Sequence, residues 1–293
     1  MTALLGPNRY GKSEIRLATV TRVGDRHRFT DLDIHIRLEG DFEAAHAAGD
    51  NSAVLPTDTM RETCYVIAAQ QGVDTVPGFA RAVADRLLEA CPAASCAWVE
   101  VISLPWEHLR VDGADHPHTF RPAAGGNSVV TLTRPRDGEA TVTGGVRGLR
   151  LLKTTGSAFS DFLMDRYTTL PETRDRIMAT TVEAAWGVVP AAGDVEIAAL
   201  AATVPETFAA RFATHDDSES VQHTLHDMGT TVLDAHVDVT WIRFRLPNEH
   251  HVLADLSPYG LDNPGEVFVV ADRPYGVIEG VIARDGVTPE PGW

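Results

Sequence analysis

Hydrophobic and polar positions alternate most clearly in the first forty residues. A short arm, residues 1 to 12, ends at Gly11-Lys12, and Ser13 to Arg22 reads as a strand closed by a Gly24-Asp25 turn. From His27 to Leu38, the apolar Leu32, Ile34, Ile36 and Leu38 alternate with Asp33, His35 and Arg37, the period of a half-buried antiparallel strand. A polar loop is expected from Glu39 to Ser52. Thr59 and Glu62 have capping-box spacing, so a helix is expected just after Thr57-Asp58. A second helix after Pro77 repeats Phe79, Val83 and Leu87 on one face. Ser95 to Leu104 and Glu107 to Arg121 read as two more strands.

Gly125-Gly126, preceded by Pro122-Ala123-Ala124, is the natural boundary between a domain over 1–125 and another over 126–293. The pattern then recurs. Strands are expected at Val129 to Thr133 and Glu139 to Lys153, joined by a turn at Asp137-Gly138. Helices are expected near 170–186, 205–214 and 219–233, the last with Val221, Leu225, Met228 and Val232 on one face. Strands return at Val237 to Leu246, Val252 to Leu256 and Val267 to Val270. The pattern is an α+β fold with antiparallel sheets, built twice.

The chemistry concentrates in KTTGSAFSDFLMDRYTTLPETRDRI, Lys153 to Ile177. Thr169, Pro171 and Glu172 read as a helix start, which would put Arg176 two turns into a helix beginning near Leu170. The Phe159 ring and the Arg176 guanidinium would then suit a flat anion, one stacking and one forking onto its polar edge. Net charge is −16 over 293 residues. That excludes the basic face of a nucleic-acid binder, and an anionic ligand would need local positive charge. The three cysteines, Cys64, Cys91 and Cys96, form no CxxC and fit a reducing compartment. No apolar run is long enough to cross a membrane, the first residues turn polar too soon for a signal peptide, and the PEPGW ending is no peroxisomal address, so a cytoplasmic location is expected. The histidines of His116-Pro-His118, His223-x-x-His226 and His250-His251 lack the companions of a metal site, and no nucleotide-binding glycine motif occurs; neither metal nor cofactor is expected.

Several motifs in order bear a more specific resemblance: RYGKSEIRL with Lys12, VLPTDTMRET with Thr57-Asp58, HPHTF at 116–120, DRYTTLPETRDRI, SESVQHTL with Val221-Gln222, and LPNEHHV with Asn248-Glu249-His250. Together they resemble the urate oxidase (uricase) family over nearly the whole chain. The resemblance implies two tandem tunnelling-fold (T-fold) domains, with helices on the outer face of sheets that close into a barrel in a homotetramer. It implies cofactor-free oxidation of urate by O2 and water to 5-hydroxyisourate and H2O2. Phe159 would stack on urate, and Arg176 and Gln222 would clamp it, with the Val221 amide adding a donor. Thr57 and the Asp58 amide would reach the ring from a neighbouring subunit. Asn248 would hold O2 or water, and Lys12, Thr57 and His250 would relay protons, with His251 a bystander. Lys12 would serve as a base if burial lowered its pKa, no carboxylate being adjacent in RYGKS. Two other readings are a zinc-dependent T-fold enzyme acting on a pterin or purine nucleotide, and a urate-binding protein without turnover.

Overall fold

A computed structural model of the chain describes residues 4–289. Glu290–Trp293, and with them most of the PEPGW ending, lie outside the described residues, as do the first three residues of the arm. The chain forms two compact units, one of residues up to Gly145 with Gly187–Ala202, the other of Val146–Trp186 with residues from Thr203 onward.

In the first unit, β1 (Arg9–Val23) and β2 (Arg26–Gly40) form a long hairpin around Gly24, whose φ of 60° favours glycine. The polar connection that follows holds a short helix, α1 (Glu43–Ala48), where a loop was expected. Then come α2 (Thr57–Gln71), α3 (Val76–Ala90) and β3 (Ala94–Ser103). The expected strand over 107–121 is instead a separate hairpin, β4 (Trp106–Val111) and β5 (Ala114–Pro122). Its turn is Asp112-Gly113, both at positive φ (50° and 82°), the dipeptide that favours tight hairpins. Gly125-Gly126 links β5 to β6 (Asn127–Pro135), which pairs with β3. The sheet order here is β1-β2-β3-β6. Leu32, Ile34, Ile36 and Leu38 are fully buried together with Phe79, Val83, Leu87, Met60 and Cys64. The alternating face of β2 and the apolar stripes of the two helices thus make one core.

In the second unit the sheet order is β7 (Thr141–Lys153), β8 (Met178–Val188), β9 (Val239–Leu253) and β10 (Phe268–Ala283). Helices α4 (Asp194–Thr214) and α5 (Val221–Ala235) intervene in sequence between β8 and β9. α4 begins eleven residues earlier than the helix expected near 205–214 and carries Pro205 inside it. The two strands expected at 237–256 are the single β9, and β10 runs well past Val270.

The helix expected near 170–186 is absent. The segment after Tyr167 is irregular and then becomes β8. Glu172 does not cap a helix: its carboxylate accepts the Asp161 N–H at 2.9 Å. Beyond it, Thr180, Val182, Ala184 and Trp186 are buried while Thr181, Glu183 and Ala185 are half-buried, a period of two. Burial of that face overrides the local capping signal. Phe208 meets Phe244 of β9 edge-on, with centroids 5.2 Å apart, in the second core. Apart from the short α1 and the inserted β4–β5 hairpin, the order strand-strand-helix-helix-strand-strand occurs twice, as two tandem repeats with antiparallel sheets.

Candidate active site

Three side-chain groups carry the expected chemistry. The first lies where β1 meets the start of α2. The Tyr10 hydroxyl donates to the Leu55 carbonyl at 3.0 Å and accepts the Leu55 N–H at 2.9 Å, fixing the segment that leads into Thr57. Burial, with Cys91 adding, pushes the Tyr10 hydroxyl's pKa up to about 12, so it stays a neutral donor and acceptor. Gly11 is required beside it, because a Cβ there would sit 1.8 Å from the Ile36 carbonyl oxygen of β2. Lys12 then donates to Asp58 Oδ1 at 3.0 Å.

The motif RYGK thus holds a strand against a helix start and aims an ammonium at it. Asp58 supplies the carboxylate that RYGKS itself lacks. The hydrogen bond and charge of Lys12, with Arg61 at 3.4 Å adding, hold the Asp58 carboxyl below its ordinary range. α2 begins at Thr57 itself, after Pro56, with no side-chain cap; Thr59 and Glu62 lie inside the helix, and Glu62 pairs with Arg61. The first-turn amides around half-buried Thr57 consequently have no capping side chain, which leaves donors and partial positive charge at this end.

The second group combines Phe159, Arg176 and the start of α5. Phe159 lies in a short extended stretch held from both sides. Its N–H and carbonyl exchange hydrogen bonds with Thr173 at 2.7 and 3.0 Å, and the Ala158 N–H donates to the Ser218 carbonyl at 2.7 Å. Ser220 caps α5 by accepting the His223 N–H, which places Val221 and Gln222 in the first turn, Val221 buried and Gln222 exposed. The Arg176 guanidinium sits 5.3 Å from the Phe159 ring centroid. On its loop Arg176 is half-buried, its Nε is buried, and that N–H has no hydrogen-bond partner. Burial lowers the guanidinium's pKa from its ordinary value, which is so high that the cation persists. Phe162 stacks on Phe159 with centroids 4.9 Å apart and planes 16° apart.

The third group is on β9. Asn248 and His250 share one face at strand spacing, with Asn248 Nδ2 3.5 Å from His250 Nδ1. Glu249 turns to the other side, where Thr181 donates to it and Arg150 pairs with it at 2.9 Å. His251 lies 3.0 Å from the Glu249 carbonyl through Nδ1. Register with β10 shifts between Ala271 and Gly276, opposite His250 and Asn248, so the ladder is irregular beside these two residues.

The expected residues therefore fall on two units. Lys12, Thr57 and Asp58 are in the first, and Phe159, Arg176, Val221, Gln222, Asn248 and His250 are in the second. Sequence reasoning passed over Tyr10, although its place next to Gly11-Lys12 marked it. Among the described residues no three His, Cys, Asp or Glu side chains group as a metal site, and no helix is long and apolar enough to cross a membrane.

The uricase family model matches residues 8–131 and 142–279. Uricase from Arthrobacter globiformis is 41% identical over 285 residues, 97% of this chain and 91% of that protein. Uricase from Danio rerio is 31% identical over 277 residues, covering 94% and 93%. The solved structure of the Arthrobacter globiformis uricase superposes with a TM-score of 0.92 at 38% identity, over 99% of this chain and 98% of that one. With its motifs, its fold and these similarities in agreement, the chain belongs to the uricase family.

Proposed function

We propose that the chain oxidises urate with O2 and water to 5-hydroxyisourate and H2O2, without a bound cofactor. Urate oxidase activity follows from its family; the products and the roles of individual residues are our reading. The observation that carries it is the Arg176 guanidinium, with a buried, unpartnered Nε, beside the Phe159 ring. An unpaired buried donor is costly, and a flat anion towards which the side chain turned would satisfy it.

Ground-state O2 is a triplet and reacts slowly with closed-shell molecules, but urate once deprotonated is electron-rich enough to pass electrons one at a time. Two electrons leave urate, O2 takes them with two protons to give H2O2, and water adds its oxygen to the oxidised ring. The protein has to hold the anion, move protons and exclude bulk water. Phe159 covers one ring face, Arg176 and Gln222 take the six-membered ring's polar edge, and the Val221 amide adds a donor. Asn248 holds O2 or water over the other face. Thr57 and the Asp58 amide meet the five-membered ring, and Lys12, Thr57 and His250 pass protons.

From the family resemblance, the reading includes a homotetramer in which one subunit's Thr57 completes another's Phe159–Arg176 clamp. The sheets there would close into a barrel and leave no open edge. A cytoplasmic location belongs to the same reading. Purified chain with urate in an oxygen electrode, with and without a chelator, tests it. O2 uptake, H2O2 formation and indifference to the chelator are expected; activity that a chelator abolishes and zinc restores would overturn cofactor-free turnover.

A further inference from the structure

Gly156 is bonded to two parts of the second unit and closely approached by a third. Its N–H donates to Asp175 Oδ1 at 2.9 Å, and its carbonyl accepts from Lys153 Nζ at 3.0 Å. Its φ is +73°, and a Cβ there would lie 3.0 Å from the Asp216 carbonyl oxygen. Each tie leads to a different residue of the clamp. Asp175 directly precedes Arg176, and its second carboxylate oxygen accepts the Thr155 hydroxyl at 2.8 Å. Lys153 Nζ also donates to the His215 carbonyl at 2.6 Å. The chain from His215 passes through Ser218, which holds Ala158, to Ser220, the cap of α5 ahead of Gln222. Phe159 follows Gly156 by three residues.

We propose that Lys153, Gly156 and Asp175 are positioning residues for urate binding: none touches the ligand, and together they set the Phe159 ring, the Arg176 guanidinium and the Gln222 carboxamide relative to one another. The proposal rests on the urate reading above. Its physical basis is that Phe159, Arg176 and Gln222 sit on three stretches with no regular ladder joining them. Only point contacts hold them in register, and several of these converge on one turn. A lysine suits the task because a compact ammonium has three donors and can serve two carbonyls at once. The ammonium is half-buried, with the Phe212 ring 5.6 Å away, so the two carbonyls replace part of its lost hydration.

The test compares Lys153→Met, Asp175→Ala, Asp175→Asn and Gly156→Ala with the parent chain, by O2 uptake, by anaerobic urate binding and by thermal melting. Small misplacements of a clamp are costly, so Lys153→Met and Asp175→Ala should each lose roughly 10- to 100-fold in kcat/KM, with a matching rise in the anaerobic urate Kd of the folded protein. Asp175→Asn should recover most of that loss, since it keeps an acceptor for Gly156 and gives Thr155 a donor. If Lys153→Met fails to fold, Gly156→Ala and Asp175→Ala carry the same test. Variants that melt earlier yet bind urate with the parent's Kd would overturn the positioning role and reduce these residues to scaffold. A parent chain that neither binds nor oxidises urate would instead overturn the urate reading itself.

Discussion

The Tyr10 hydroxyl brackets Leu55, donating to its carbonyl at 3.0 Å and accepting its N–H at 2.9 Å. One phenol thereby satisfies both backbone groups of a residue 45 positions away and sets where α2 begins. Tyr10→Phe keeps the ring, which packs edge-on against Phe42 with centroids 4.8 Å apart, and leaves Leu55 without these partners. Stability should fall by about 1–2 kcal/mol, and kcat should fall as Thr57 loses its fixed place. Denaturant unfolding and O2 uptake check both; unchanged kcat would confine Tyr10 to the fold.

The contrast between β2 and β8 shows what the sequence carries. In β2 the alternation of Leu32, Ile34, Ile36 and Leu38 is local, and the structure buries those four residues. In β8 an equivalent alternation, Thr180, Val182, Ala184 and Trp186, lies just after the Thr-x-x-Glu spacing at 169–172, which read alone marks a helix start. That spacing carries no information that Glu172 bonds to Asp161 eleven residues back. The site divides in the same way. Phe159, Arg176 and Gln222 stand out by residue type and motif. The Lys12–Asp58 pair spans 46 positions, and no short-range pattern specifies it.

Arg176→Lys is not a conservative change. Lysine keeps the charge but loses the planar fork and the buried Nε–H that faces no protein acceptor. Urate binding should weaken by about 1.5–3 kcal/mol, read as a rise in KM of roughly 10- to 100-fold. An unchanged KM would remove Arg176 from the clamp.

Glu249 makes stability depend on acid. Burial pushes its carboxyl up, but the Thr181 hydroxyl, the hydrogen bond and charge of Arg150, and the charge of His251 pull it further down, to a net value below the ordinary glutamate range. A depressed folded pKa adds stability that is present above the unfolded value and lost as pH falls through the folded one. Glu249→Gln should therefore melt a few degrees below the parent at pH 7, and the gap should close as acid protonates the parent's Glu249. A gap that persists at low pH would mean that packing, not charge, is lost.

Hybrid assemblies test whether sites are shared. Thr57 belongs to the first unit and Arg176 to the second. If one subunit's Thr57 serves another's Arg176, mixing inactive Thr57→Ala with inactive Arg176→Ala protein, under conditions that exchange subunits, should restore activity through sites with both residues intact. Full activity in a verified monomer would contradict the arrangement.

In the proposed relay, Lys12 is the amine. An ammonium cannot accept a proton, so the role of Lys12 depends on what surrounds it when urate is bound. Without ligand its ammonium donates to Asp58, a carboxylate that Arg61 also reaches, and Thr57 is the adjoining residue. Urate bound against Thr57 would bring a second anion to this ammonium, and the proton could then be shared along Lys12, Thr57 and His250 rather than held by one group. Lys12→Met removes the amine and keeps the length and apolar packing of the stem. It should lower kcat by roughly 10²–10⁴-fold, the range of a lost acid–base group. KM should change less, because the clamp's ring contacts come from Phe159, Arg176 and Gln222. Melting should hardly move, since Asp58 is exposed and such surface pairs contribute little. Steady-state O2 uptake is the measurement; a near-normal kcat, or a loss confined to KM, would leave Lys12 as a partner of Asp58 and nothing more.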